Sequence, residues 1–408
     1  MNSKGPLFGI KVLELANVLA GPSVGVALAE LGATVIKVEN LLTKGDVTRT
    51  WKLPSEDEKT DISGYFSCVN WGKKSIALNL CKPEGLDIIY KLASICDIVL
   101  ASYKPGDAQK LKVDYETLKS YNSKIIYAHL TGYGLKNNRP GYDAIVQAES
   151  GFTFMNGDYN GQPVKMPVAL MDVLAGHQLK EGILLALLNR ELNGKGQYIE
   201  TSLIKSGVAA LSNQATNWLV GNSIPQRMGS DHPNIVPYGT IFYTADQKAL
   251  VLAVGSDKQF ADLCKVLGNP ELACDPRFTT NLNRVKNRSA INEILQGLIS
   301  NFERSPLLDD LDIKNVPAGG VYDMQEVFEL PEVKEMVMES KTTSGKELKG
   351  LRTVAFTMSG DEQPQILQAP PHYGEHTASI LKEILGYSNS TIQSLIDNEL
   401  IYANNKIS

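Results

Sequence analysis

Between residues 10 and 130 the chain changes its hydrophobic period repeatedly, and this alternation narrows the possible folds more than any other feature. IKVLEL (10–15) is an apolar run of strand length. PSVGVALAELG (22–32) opens on proline and closes on glycine. That is the asymmetry of a helix, whose first turn needs no N–H and whose end needs left-handed backbone. TVIKVE (34–39) returns to strand length, as do SIALNL (75–80), DIVLAS (97–102) and KIIYAHL (124–130). Helical periods lie between them at 83–95 and 114–121. Strands separated by helices pair in parallel, because each helix supplies the crossover. The pattern predicts an α/β fold with a parallel, doubly wound sheet. Ligands of such sheets sit at the carboxyl ends of the strands.

The later chain reads differently. A helix is expected from about 203 to 219. GNSIPQRMGSDHPNIVPYG (221–239) is a linker or a functional loop, rich in turn residues. TIFYTADQKALVLAVG (240–255) has the pattern of a β-hairpin, and helical segments run on to about 300. These predict a second, smaller α+β domain. VPAGGVYDMQEVFELPEV (316–333) is expected to be a turn-rich connector. No internal repeat or low-complexity tract is visible.

Composition excludes some functions. With 408 residues, 43% hydrophobic and 21% charged, the chain has the profile of a soluble globular protein of two ordinary domains. A net charge of −5 disfavours a broad nucleic-acid surface, though it permits a local basic pocket for a phosphorylated ligand. The five cysteines are odd in number and none forms C-x-x-C, which fits a reducing compartment. No uninterrupted apolar run reaches membrane-spanning length. The N-terminal sequence enters a strand pattern almost at once, so a cytoplasmic protein without membrane partners is expected.

Several motifs carry chemistry. The loop NVLAGPSVG (17–25) joins the first strand to the first helix but lacks G-x-G-x-x-G, so NAD binding is disfavoured. Small residues at a helix start fit either a phosphate seat or a plain tight turn. His372 and His376 have the i, i+4 spacing of a metal pair, but Pro370, Pro371 and Gly374 indicate a turn and no third ligand is apparent; no metal is expected. Lys73 and Lys74 read as a solvated turn. Lys82, Lys104 and Lys110 could each meet a phosphate as a point charge, and the sequence does not choose among them. No nucleophile elbow of the G-x-S-x-G type is present.

Asp172 stands near the front of the apolar run PVALMDVLAGHQLKEGILLALLNRE (167–191). Two readings are open. It is a helix cap, favoured there by the dipole. Or it is a carboxylate nucleophile, kept ionised by the helix start and dried by its apolar neighbours. His177, five residues on, falls off its helical face.

The stretch GIKVLELANVLAGPSVGVALAELGATVIKVE resembles the opening of the class III CoA-transferases, the family of formyl-CoA transferase, L-carnitine CoA-transferase and α-methylacyl-CoA racemase. The similarity continues through GDVTRTW, NWGKKSIALNLCKPEG, TGYG, GYDAIVQAESG, LLNRELNGKGQYIETSL and PHYGEHT, covering nearly the whole chain in family order. GYDAIVQAESG, VALMDVLAG and HPNIVPYGTIF look most like the succinate–hydroxymethylglutarate CoA-transferase branch.

The resemblance implies a Rossmann-like large domain built from both chain ends, with 1–220 as its first part and 326–408 returning to it, and a small α+β domain at 221–325. It implies an interlocked homodimer. It implies an enzyme that moves CoA from an acyl-CoA donor, such as succinyl-CoA, to another carboxylic, dicarboxylic acid. The CoA esters and acids are its partners, and it uses no cofactor beyond the CoA thioester. Asp172 falls on the family's catalytic aspartate. Val18, Ala20, Leu78 and Tyr103 match CoA contacts, Lys110 takes the place of a phosphate-binding cation, and Tyr133 matches an active-site tyrosine. The far carboxylate of a dicarboxylate needs a partner, for which His232 and Arg49 are candidates; a hydrogen-bonded loop histidine is the other reading of His232.

The sequence departs from the pattern at several places. Asn40 stands where some members have a CoA-binding Arg. Ser102 replaces an Asn, Thr131 replaces a Lys, and a glycine-rich flap has no clear counterpart. The racemase branch pairs its Asp with a His in G-H-D. Here the place reads Gly141-Tyr142-Asp143, and a phenol with a pKa near ~10 is a poor replacement for that base. This favours transfer over racemisation, and over CoA binding without catalysis, since Asp172 is intact.

Overall fold

In the computed structural model, which describes residues 5–359 and 366–404, seven strands form the central sheet. They are β1 (Lys11–Glu14), β2 (Thr34–Asn40), β3 (Lys73–Leu78), β4 (Ile98–Ala101), β5 (Ile126–Thr131), β6 (Gln197–Ser202) and a short last strand, Ile401–Tyr402. The order is Ile401–Tyr402, β3, β2, β1, β4, β5, β6. Every pair is parallel except the one between β3 and the last strand, which is antiparallel. The six parallel strands therefore follow the doubly wound order, with the reversal between β1 and β4. The sheet is α/β and mostly parallel, as the alternating periods predict.

The two faces of the sheet differ because side chains alternate along a strand. Leu13, Ile36, Val38, Ile76, Leu78 and Val99 point into an apolar core shared with the helix Pro83–Ile95. The intervening residues of β1, β2 and β3 include Glu14, Lys37, Glu39, Lys73 and Ser75, all buried. On that face lie the helix α1 (Ala20–Glu30) and the long helix α2 (Leu170–Asn193), which pack on each other. Gly25 of α1 accommodates the charges, since a Cβ there would lie 1.9 Å from Glu14 Oε2. Gly176 of α2 accommodates α1 in turn, since its Cβ would lie 2.5 Å from Ser23 Oγ.

The chain divides into two compact units. The first comprises the chain through Ser150, Pro167–Thr216 and the part from Glu335 onward. It also carries an antiparallel hairpin of Val337–Lys341 and Glu347–Leu351, where Gly350 leaves room for the indole of Trp71. The second comprises Gly151–Met166 and Asn217–Lys334. The segment Gly151–Met166, expected in the large domain, groups with the second unit.

The second unit has an antiparallel sheet of β7 (Tyr238–Tyr243), β8 (Ala249–Ala253) and β9 (Ala318–Gly320). Phe242, Leu250 and Leu252 pack with Phe260, Leu263, Ile291, Leu295, Leu307 and Leu311 from its helices and with Phe278 from a turn. Arg284 is fully buried there, donating to the carbonyls of Val236 and Phe278 and to Asp257.

Three expectations need correction. The helix from 203 ends at Ala209 because Ser212 takes φ 47, and a new helix starts there. The stretch 316–333 is not a plain connector, since it holds β9 and a helix, Met324–Glu329, opened by an Asp323–Glu326 capping box. Lys73, read from the sequence as part of a solvated turn, is instead buried in β3 and paired with Glu14 at 2.8 Å. The segment of His372 and His376 is the turn expected: His372 binds Asp61 and Ser344, while His376 Nδ1 accepts from the backbone N–H of Ser75.

Candidate active site

A cavity of about 220 Å³ opens at the carboxyl ends of β1, β4 and β5, at the reversal of strand order. The loop after β1 supplies 17–21, the loop after β4 supplies 102–105, and β5 ends in Leu130, Thr131 and Gly132. Residues 139–143, Asp172 and Leu203 complete the lining. An open doubly wound sheet diverges at this point, so the loops on either side leave a crevice.

The loops meet closely for identifiable reasons. The Ser102 hydroxyl accepts the N–H of Asn17, tying the loops after β1 and β4. The Thr131 hydroxyl accepts the N–H of Gly134 and shapes the turn after β5. A Cβ on Gly141 would lie 2.2 Å from Gly132 Cα, so only glycine at both places lets 139–143 cross there. Beneath the floor, His129 Nε2 donates to the Tyr103 carbonyl at 2.8 Å. Burial keeps this imidazole neutral, leaving Nδ1 to accept from the Tyr198 hydroxyl at 2.9 Å.

Asp172 is the third residue of α2, and this corrects its reading as the cap. The cap position is Ala169, which has no capping side chain. The capping carboxylate comes from another helix: Asp143 Oδ1 accepts the N–H of Met171 at 2.8 Å. Gln147 Nε2 braces it, donating to Asp143 Oδ2 at 2.7 Å and to the Val168 carbonyl at 3.2 Å. Asp172 itself accepts no hydrogen bond from the described residues. The expectation that the helix start keeps it ionised is also overturned. Burial first, and the negative Asp143 second, push its pKa up from 3.8 to about 7. Water is stripped from one carboxylate while the other takes the helix N–H, so the dipole's benefit goes to Asp143.

Of the residues singled out from sequence, Val18, Ala20, Tyr103 and Asp172 share this cavity. Leu78 does not: it has 0% exposure within the apolar core, so its side chain is closed to a ligand. Lys110 is exposed and pairs with Asp107 at 3.0 Å, outside the lining. Tyr133 lies outside it too, donating to Glu149 Oε2 at 2.7 Å. Its ring carries the guanidinium of Arg139, 4.6 Å from the centroid, and Arg139 does line the cavity. His232 belongs to the second unit, where Nδ1 accepts the N–H of Asn234 and the ring meets Tyr238 edge-on. Arg49 is removed as a carboxylate partner, because it is buried against Glu39, the Pro371 carbonyl and the face of Phe66.

Of the three lysines left open by the sequence, Lys104 lines the cavity and Lys82 and Lys110 do not. Two residues escape the sequence reading, Arg139 and Tyr65, and Arg139 is a lining cation. Arg139 sits in a polar turn, LKNNRPG, without a pattern to mark it. Tyr65 packs edge-on against Trp51 with ring centroids 4.9 Å apart. Burial, and then the charge of Asp172, raise its phenol to about 12, so it stays protonated near the carboxylate. No spacing in the sequence joins positions 65 and 172. Among the described residues no group of three or more His, Cys, Asp or Glu side chains could hold a metal ion.

Strand order and cavity define a doubly wound α/β protein with a crevice at the switch point. The model of CoA-transferase family III matches residues 7–377, and the chain belongs to that family. It is 38% identical to a succinate–glutarate CoA-transferase of Agrobacterium fabrum, over 94% of this chain and 96% of that one. It is also 38% identical to the human succinyl-CoA:glutarate CoA-transferase, over 97% of this chain and 90% of that one. Among solved structures, a CAIB/BAIF family protein from Brucella suis matches with a TM-score of 0.82 at 37% identity, covering 94% of this chain and 100% of that one. The chain is a CoA-transferase.

Proposed function

We propose that the protein transfers CoA from succinyl-CoA to a second dicarboxylic acid, with Asp172 as the covalent relay. The observation that carries this reading is the Asp172 carboxylate, without a hydrogen-bond partner among the described residues, facing a cavity at the sheet's switch point. A carboxylate without hydrogen-bond donors in a partly dry site has both oxygens available for attack. Its raised pKa makes it a better nucleophile than a solvated carboxylate.

Asp172 attacks the thioester carbonyl, the C–S bond breaks, and a mixed anhydride and CoA thiolate result. The thiolate attacks the aspartyl carbon, forming an aspartyl-CoA thioester and releasing succinate. The acceptor carboxylate attacks that thioester and expels the thiolate again. The thiolate then takes the acceptor acyl group, and Asp172 is regenerated. One thioester is exchanged for another, so the steps balance without ATP. Holding the CoA handle in the cavity converts each attack into an intramolecular step, worth up to about 7–11 kcal/mol. Arg139 and Lys104 are the lining cations for phosphate or carboxylate. The names of the relatives support succinyl-CoA as donor and a C5-type dicarboxylate such as glutarate as acceptor. Tyr142, 66% exposed, offers no second base for racemisation.

The protein acts as a homodimer in this proposal. Leu184, Leu185, Leu188 and Leu192 leave an apolar face of α2 exposed by 41–78%, which supports a second copy as its cover. Free, exposed thiols at Cys68, Cys81 and Cys274 support a reducing, cytoplasmic setting. The test of the relay is to incubate the enzyme with succinyl-CoA, trap with hydroxylamine and map the hydroxamate by mass spectrometry. A hydroxamate at Asp172 is expected; one elsewhere, or full activity in Asp172→Ala, overturns the assignment.

A further inference from the structure

The loop after β1 carries an uncommon strain. Val18 has φ 70, a left-handed conformation that a β-branched residue rarely adopts. Such strain persists only where the surroundings enforce it. Here three buried side chains hold the loop's backbone. Lys37 Nζ donates to the Ala16 carbonyl at 3.0 Å, and Lys73 Nζ donates to the Pro22 carbonyl at 2.8 Å. Between them, the Val18 N–H donates to the Asp46 carboxylate, at 3.1 Å to Oδ2 and 3.4 Å to Oδ1. The segment strung between these anchors, 17–21, is cavity wall.

Asp46 is itself fixed. Its Oδ2 meets Lys37 Nζ at 3.0 Å, and its Oδ1 accepts the N–H and hydroxyl of Thr48 at 3.1 and 2.8 Å. Glu14 joins the two ammoniums from below, 3.2 Å from Lys37 and 2.8 Å from Lys73. Asp46 is 2% exposed and Lys37 0%, and neither lines the cavity. Burial opposes both charges. The carboxylates around Lys37 outweigh it and raise that pKa, while Lys37 and the Thr48 donors hold Asp46 low. A buried ion pair is on average no more stabilising than apolar residues of the same shape. A network of this kind under a strained loop therefore points to placement of the loop rather than to stability alone.

We propose that Asp46, anchored by Lys37, is a positioning residue that holds the strained Val18 turn as one wall of the active-site cavity and so sets how the CoA ester docks. The proposal rests on the reading of the Asp172 cavity as the CoA-ester site. Asp46 acts through Val18 and touches neither substrate nor reacting atoms.

The test is a coupling measurement with succinyl-CoA and glutarate. Asp46→Asn puts an amide NH₂ against the donors of either Lys37 and Val18 or Thr48. It is expected to lower kcat/KM for succinyl-CoA by at least about tenfold, chiefly through KM. Glycine adopts the left-handed conformation unaided, so against a Val18→Gly parent the same substitution is expected to cost less than about threefold. Equal losses in the two backgrounds overturn the proposal. So does an Asp46→Asn enzyme that melts earlier while keeping KM and kcat per folded molecule. If Asp46→Asn does not fold, Thr48→Val loosens the same carboxylate without changing charge. A drop of about threefold that disappears in the Val18→Gly background is then expected, and an undiminished drop refutes it. Full activity in Asp172→Ala, run alongside, marks failure of the site reading; an inactive Asp172→Ala with no coupling between 46 and 18 marks failure of this proposal only.

Discussion

Replacing Asp172 with Asn is expected to make the free protein more stable while stopping turnover. The carboxyl is moved from 3.8 to about 7 by burial and by Asp143. Each tenfold change in proton affinity corresponds to about 1.4 kcal/mol, so ionised Asp172 costs the folded state at most about 4 kcal/mol at pH 7. Asp172 is only half-buried, and solvent screening reduces this to about 2–3 kcal/mol. The sign follows from linkage. Between pH 3.8 and about 7 the folded state binds a proton that the unfolded chain has released, so stability falls as pH rises through that window. Asn lacks the titration and keeps the shape. The variant's advantage is therefore near zero below pH 4, grows through pH 4–7 and is constant above. At roughly 2–4 °C per kcal/mol, the melting temperature at pH 8 rises by about 5–10 °C. Differential scanning fluorimetry of both proteins across pH 4–8, beside the succinyl-CoA assay, reads both effects. An Asn variant that is less stable at pH 8, or whose advantage does not vary with pH, refutes the idea that the fold holds this carboxylate at a cost.

Other outcomes follow from the same geometry. The attacking form of Asp172 is the anion, so kcat/KM for succinyl-CoA is expected to rise with pH and level off above about 7, the value toward which the group is pushed; a flat profile between pH 5 and 8 contradicts this. Gly141→Ala drives a Cβ to 2.2 Å from Gly132 Cα and is expected to cut kcat/KM by about a hundredfold through misplaced loops, read by steady-state kinetics. Arg139→Ala removes a lining cation and is expected to raise KM for succinyl-CoA about tenfold with a smaller change in kcat; an unchanged KM argues against phosphate or carboxylate binding there. Leu188→Asp, on the exposed face of α2, is expected to shift the protein toward monomer in sedimentation velocity with its helical circular dichroism retained.

The sheet was legible because strands β1 to β5 and the helices between them obey local rules. Pro83–Ile95 is helical over the span its proline and period mark. Strand β6 was not legible: QYIETS is half-buried and without alternation, and it is a strand because β5 offers a parallel partner. The hairpin Val337–Lys341 with Glu347–Leu351 has the same origin, in pairing and in the fit of Gly350 to Trp71. Within the site, Asp172 stood out by its apolar setting, and the loop after β1 by its small residues. Tyr65 and Arg139 carried no local mark, since their proximity to the cavity depends on contacts made across the sheet.

The sequence by itself determined the doubly wound architecture, the family and the identity of the carboxylate in the apolar run. Periodicity, turn residues and ordered motifs are all written along one dimension. Tertiary structure decided the state of that carboxylate. Asp143, twenty-nine residues earlier in the chain, takes the helix N–H and leaves Asp172 half-buried, without a hydrogen-bond partner among the described residues and raised in pKa. Tertiary structure also decided that Leu78 is core, that Arg49 is already bound, and that Lys37 and Asp46 reach from beneath to hold Val18. The physical reason is the same in each case. Desolvation and charge pairing act through space between residues distant in sequence, and no local pattern records them.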